Sequence, residues 1–142
     1  VVNNGFSEVI SNISNNPNAP VYSGQFNSFA RAVHLTETNG KFGPIIGDHG
    51  AALGPLQIHE ICYKDVVSST GGKYSDCQSF EFSKKILYFY SFKYEKKALN
   101  LNNFEVLSKL WNGGPNWRKC KNPQNLKIYW LKIQKNLAIK KL

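Results

Sequence analysis

Two carboxylates stand eleven positions apart in contrasting surroundings. Glu37 closes an apolar-periodic segment, and Asp48 sits in the glycine-rich run GDHGAALGPLQI, residues 47–58. Hydrolysis of a glycosidic bond needs such a pair. One acid must be neutral to protonate the leaving oxygen, and the second must be ionised to face, attack or activate water at the oxocarbenium-like centre. Glu37 lies four residues beyond Val33 on the stripe Phe26, Phe29, Ala30 and Val33, so it is expected on the inward face, where burial raises its pKa. Asp48 lies between Gly47 and Gly50, where backbone N–H groups of a turn are expected to stabilise its anion. Plainer roles exist for both, Glu37 as a surface acid ending a helix and Asp48 as a turn former.

His49 and His59 are the other chemically competent groups nearby. A metal site using Asp48 can be drawn, but two histidines at this spacing match no common zinc motif. No metal and no other cofactor is expected, and His59 is expected to orient a substrate group or to stay exposed.

The elements that must position these groups follow from periodicity and turn chemistry. A helix is expected from Gln25, stopped by Thr38-Asn39-Gly40. Gly43, Pro44, Gly47, Gly50 and Gly54 exclude helix from the next stretch, which is expected to form a small hairpin turning at Asp48-His49-Gly50. Pro55 is expected in the first turn of a second helix running PLQIHEICYKDVV, and Ser68–Asp76 as a loop. Phe80–Leu99 is the longest periodic segment and is expected to form a nearly central helix, with Phe82, Ile86, Phe89 and Leu99 inward, Leu87 and Tyr90 widening that stripe, and the lysines outward or snorkelling. Asn103 is expected to cap a helix over FEVLSKLW that ends at Asn112-Gly-Gly-Pro-Asn116. A last helix is expected from Asn122-Pro123, an N-cap followed by proline at the first helical position, with Leu126, Trp130, Ile133 and Leu137 inward. The fold class is therefore α+β, mainly helical, with a small β-hairpin region between the first and second main helices. Residues 1–24, rich in Asn, Ser, Gly and Pro, are expected to be irregular apart from a short helix near Phe6–Ile10, and 25–142 to form one domain.

Composition bounds the partners. Of 142 residues, 42% are apolar, which can supply a core and argues against global disorder. No apolar run is long enough for a transmembrane helix. The start VVNNGFSEV lacks the regions of a signal peptide, and the absent Met suggests a processed product. Asn12-Ile-Ser14 is a glycosylation sequon only on a secretory route. The net charge of +9 is uneven: residues 1–78 carry four basic against six acidic groups, and residues 79–142 carry fourteen against three. The basic half should attract an anionic polymer or surface, unless its lysines are merely solvated. A specific nucleic-acid partner is the weakest option, since no recognised module is present. Three cysteines, at 62, 77 and 120, admit buried free thiols or one disulfide with one free thiol.

The motifs HLTETNG, GDHGAALGPLQI, LWNGGPNW and IYWLKIQ occur in an order that resembles the lysozyme-like superfamily, and above all the invertebrate-type (i-type) lysozymes, over about residues 30–135. Lytic transglycosylases share related Gly-x-x-Gln and Asn-x-Gly-Pro patterns. The resemblance implies a lysozyme-like fold and a peptidoglycan hydrolase, a muramidase cutting the β-1,4 bond between N-acetylmuramic acid and N-acetylglucosamine. It implies Glu37 as general acid and Asp48 as second carboxylate, although the stretch from Asp48 to Gln57 is one residue shorter than in the i-type pattern. It further implies a saccharide cleft lined by Gln57, Asn112, Gly113 and Gly114. There an amide can bond N-acetyl or hydroxyl groups, and glycines allow a sugar close to the backbone. Trp111 stands where the family often has His and could stack on a sugar. This chain also departs from the family's cysteine-rich pattern. The implied partner is peptidoglycan or a related amino-sugar polymer in an anionic bacterial cell wall. The implied setting is secreted, lysosomal or phagosomal, and the implied protein a monomeric, bacteriolytic, antimicrobial one. Two other readings remain: a lytic transglycosylase using Glu37 alone, and a non-enzymatic glycan-binding or cationic antimicrobial protein.

Overall fold

The computed structural model describes residues 20–139. The expected short helix near Phe6–Ile10, the sequon at Asn12 and most of the segment expected to be irregular lie outside the described residues. Helix α1 spans Gly24–Thr38. Strands β1 (Ile46–Gly47), β2 (Ala52–Leu53) and β3 (Ile58–His59) follow, with a 3₁₀ turn over Asp48–Gly50. Then come α2 (Glu60–Thr70), a 3₁₀ segment over Tyr74–Gln78, α3 (Phe80–Tyr94) and α4 (Lys96–Asn100). The chain continues with α5 (Phe104–Gly113), a 3₁₀ turn over Trp117–Lys119 and α6 (Pro123–Leu137). The class is α+β and mainly helical, with one small antiparallel sheet in the order β1-β2-β3.

Helix α1 forms where the apolar stripe predicts it, one residue earlier than the expected start. The Ser23 side chain accepts from Phe26 N–H at 3.0 Å, satisfying one of the open amides of the first turn. Phe26, Phe29, Ala30 and Val33 are all buried. Asn39, in the left-handed conformation at φ 58°, ends the helix, and its N–H bonds Leu35 O. α1 packs on α6, α5 also packs on α6, and α2 packs on α3. One apolar cluster joins all of them, from Phe29 on α1 through Ile86 and Leu87 on α3 to Leu107 on α5 and Ile133 on α6.

Five expectations are corrected. Pro55 does not open a helix: Gly54–Gln57 is a turn, Ile58–His59 is a third strand, and α2 starts only at Glu60. Leu53 and Ile58 therefore serve the sheet, and Pro55 and Leu56 a turn, rather than a helical face. Helix α2 runs on to Thr70, so the loop expected from Ser68 is confined mainly to Gly71–Lys73. The segment 80–99 is two helices, because Glu95 at φ −141° and ψ 54° leaves the helical region. Ile86, Leu87 and Tyr90 of α3 are buried as expected, but Phe82 and Phe89 are only half-buried, and Ser83 and Ser91 complete the buried stripe. Asn122 precedes the expected N1 proline, but its side chain makes no capping bond. The three cysteines are free, with only Cys77 fully buried, Cys62 half-buried and Cys120 exposed. Among the described residues no helix is long and apolar enough to cross a membrane.

Candidate active site

Glu37 stands in the last turn of α1, on the side that meets α6. Tyr129 of α6 donates its hydroxyl to Glu37 Oε2 at 2.7 Å. Burial pushes the Glu37 carboxyl above the ordinary carboxylate range, and the Tyr129 bond and the positive charge of Lys132 only partly oppose it. Tyr129 is itself 9% exposed, and its phenol is held well above its usual range by burial and then by Glu37. A tyrosine that stays protonated is a permanent donor, so it fixes the position of the carboxyl whether Glu37 is neutral or charged.

Asp48 occupies the turn between β1 and β2. Its φ is 53° and that of His49 is 55°, left-handed conformations that asparagine, aspartate and histidine adopt more readily than other non-glycine residues. The sheet register sets Gly47 opposite Ala52 and Ala52 opposite His59, so these three residues form a row across the strands. Asp48, one step beyond that row, comes within 3.1 Å of His59 through Oδ2 and Nε2. The carboxylate was expected to rest on turn amides; a histidine two strands away is its partner instead. The pair is half open to solvent, with side-chain exposures of 59% for Asp48 and 49% for His59. The two acids thus differ as a glycosidase pair must, one desolvated and one wet.

Gln57 reaches the same space from the turn that replaced the expected helix start. Its φ of 54° is also left-handed. Its Nε2 donates to Gly54 O at 3.0 Å, and its amide lies over Gly47, where a Cβ would fall 2.0 Å from Oε1. Thr38 ties the neighbouring helix to this turn, since its hydroxyl donates to Pro55 O at 2.8 Å. From below, Tyr74 donates to Ile58 O at 2.6 Å, and Gly54 lies so close to Cys77 O that a Cβ would meet it at 1.8 Å.

The opposite wall is the C-terminal end of α5. Trp111 is half-buried and stands edge-on to Tyr90, with ring centroids 5.8 Å apart. Gly114, at φ 82°, has nothing within 4 Å of its missing Cβ, so its backbone is open to an approaching group. Gly113 owes its size to packing: a Cβ there would lie 2.8 Å from Leu126 Cδ2 and 2.9 Å from Trp117 Cβ.

These walls enclose a cleft of about 480 Å³. Glu37, Asp48, Gln57, His59, Trp111, Asn112, Gly113 and Gly114 all line it, so every residue singled out from the sequence as catalytic or substrate-binding comes to one place. Sequence reasoning assigned no role to Ala52, Ile58, Ile61, Cys62 or Tyr90, which also line it, or to Tyr129 and Lys132 behind Glu37. Tyr129 had a legible signal: it stands three after Leu126 and four before Ile133, on the apolar face, within the IYWLKIQ motif. Cys62 is no nucleophile at neutral pH, because burial first, then Cys77 and Asp65, push its thiol up to about 12. Among the described residues no three His, Cys, Asp or Glu side chains converge as metal ligands.

Compared with protein-family models, with curated proteins and with solved structures, the chain matches none.

Proposed function

We propose that this protein is a lysozyme-like muramidase that hydrolyses the β-1,4 bond between N-acetylmuramic acid and N-acetylglucosamine in peptidoglycan. The observation that carries the reading is the desolvated Glu37 carboxyl, bonded to Tyr129, in one cleft with the solvated Asp48. Glu37, neutral before reaction, donates its proton to the glycosidic oxygen as the C–O bond breaks. Asp48 faces the developing positive charge at the anomeric carbon, as nucleophile or electrostatic stabiliser. Glu37, then ionised, takes a proton from the water that completes hydrolysis. Gln57 and the backbone at Gly114 offer polar groups to N-acetyl and hydroxyl substituents, and Trp111 offers a half-exposed ring face for a sugar. The basic half of the chain favours an anionic wall as the substrate's setting. Action on a wall implies delivery outside the cell or into a lysosomal or phagosomal compartment.

One observation favours a second reading. Glu37 is the half-buried, desolvated carboxyl of the cleft, whereas Asp48 is largely exposed and already paired with His59. A lytic transglycosylase needs only one acid, with the muramic 6-hydroxyl as intramolecular attacker. Masses of products released from purified peptidoglycan test both readings. Hydrolysis gives reducing muropeptides, transglycosylation gives anhydro products one water lighter, and intact polymer refutes both.

A further inference from the structure

The side of α6 turned away from Glu37 carries an unusual combination. Its inner face, Leu126, Tyr129 and Ile133, is buried. Its outer face carries Ile128 and Leu131, each 51% exposed, and the chain leaves the helix through Ile139, 47% exposed. These are three of the nine large apolar side chains exposed among the described residues, two on α6 and the third just beyond its end. Ile128 and Leu131 are one turn apart, Lys127 is four before Leu131, and Lys135 is seven after Ile128, so all four share one side of the helix. Lys132 flanks them. The helix has no Asp or Glu, and Glu37, the acid that meets it, bonds Tyr129 on its inner face.

We infer that this outer face of α6 docks the protein on an anionic lipid bilayer. Solvated lysines need no isoleucine and leucine between them, and a polyanion such as a sugar phosphate chain has no use for apolar side chains. A bilayer surface uses both: headgroups take the lysines, and the acyl boundary takes Ile128, Leu131 and Ile139. The helical part of the face spans about 12 Å along the axis, from Lys127 to Lys135, and Ile139 extends it past the helix end. None of its residues lines the cleft around Glu37, so docking leaves that cleft free. The inference is independent of the enzymatic reading.

Co-sedimentation of the full chain with vesicles tests it. Vesicles of phosphatidylglycerol and phosphatidylethanolamine should bind the protein at least tenfold more tightly than phosphatidylcholine vesicles. The double substitution Ile128→Ser and Leu131→Ser should weaken that binding at least fivefold and leave binding to soluble polyphosphate unchanged. Circular dichroism should show the same fold, because both side chains are exposed. Lys127→Glu with Lys135→Glu should abolish vesicle binding. Equal binding to the two vesicle types, undiminished binding by the serine variant, or capture by polyphosphate but not by vesicles would overturn the proposal.

Discussion

Glu37 concentrates the chemistry and also a cost. Its carboxyl is desolvated, so the folded chain favours the neutral form. For a carboxyl whose folded pKa is raised, the destabilisation is absent below the unfolded pKa near 4. It grows as pH rises and is complete above the folded pKa. Glu37→Gln keeps the shape and an acceptor for Tyr129 but cannot ionise. The variant should therefore melt at a higher temperature than the parent at pH 7 and at the same temperature at pH 3, and thermal unfolding at the two pH values checks this. Its activity should fall by at least about 100-fold, the usual scale for removing a general acid. Tyr129→Phe separates the two influences on the same carboxyl. The Tyr129 bond favours the ionised form, so removing it should raise the Glu37 pKa further and move the alkaline limb of the kcat/KM profile to higher pH. An unmoved limb would mean that another group sets it. Across the cleft, His59 fixes Asp48, and Gln is the substitution that best preserves a donor at that reach. His59→Leu should lower kcat several-fold with KM nearly unchanged and His59→Gln should restore much of it, while neither should matter further in an Asp48→Asn background. A double-mutant cycle measures this, and additive losses would separate the two residues.

At the scale of elements, the site depends on close approaches between a helix end, a three-stranded sheet and a helix C-terminus. Gly54→Ala would drive a Cβ into Cys77 O from a left-handed backbone, where both the contact and the φ of 79° oppose it. A loss of about 2–4 kcal/mol is expected in chemical denaturation. Gly47→Ala meets only the mobile end of Gln57, so it should cost much less stability and act mainly by raising KM. Much of this arrangement was legible in the chain. The stripe Phe26, Phe29, Ala30, Val33 indicated α1 and the inward direction of Glu37, and Asn103 and Pro123 marked the starts of α5 and α6. Illegible was what depends on contacts between elements. Pro55 is as suited to a turn as to a first helical position, and here the hold of Thr38 on Pro55 O and the packing of Gly54 on Cys77 decide for the turn. The partner of Asp48 was hidden for the same reason, since His59 reaches it only through the register of two strand pairings. Tyr129 was legible as a buried ring, but its hydroxyl partner lies 92 residues away in sequence.

For the whole molecule, charge and cleft act together. The positive charge lies in the half that supplies α3 to α6, with fourteen basic against three acidic groups, while both proposed catalytic carboxylates come from the slightly acidic half. Attraction to an anionic wall is screened within about 8–10 Å at ordinary ionic strength. Raising salt from 50 to 300 mM should therefore slow lysis of intact walls several-fold, yet change cleavage of a small neutral amino-sugar oligomer little; equal slowing would place the salt effect in the cleft itself. In the proposed reaction Glu37 hands a proton to a glycosidic oxygen of peptidoglycan. Mass spectrometry of the soluble products from purified peptidoglycan, treated in parallel with the parent protein and with Glu37→Gln, tests it most directly. The parent should release reducing disaccharide muropeptides and the variant almost none. Polymer left intact by the parent, or equal release by both proteins, would contradict it.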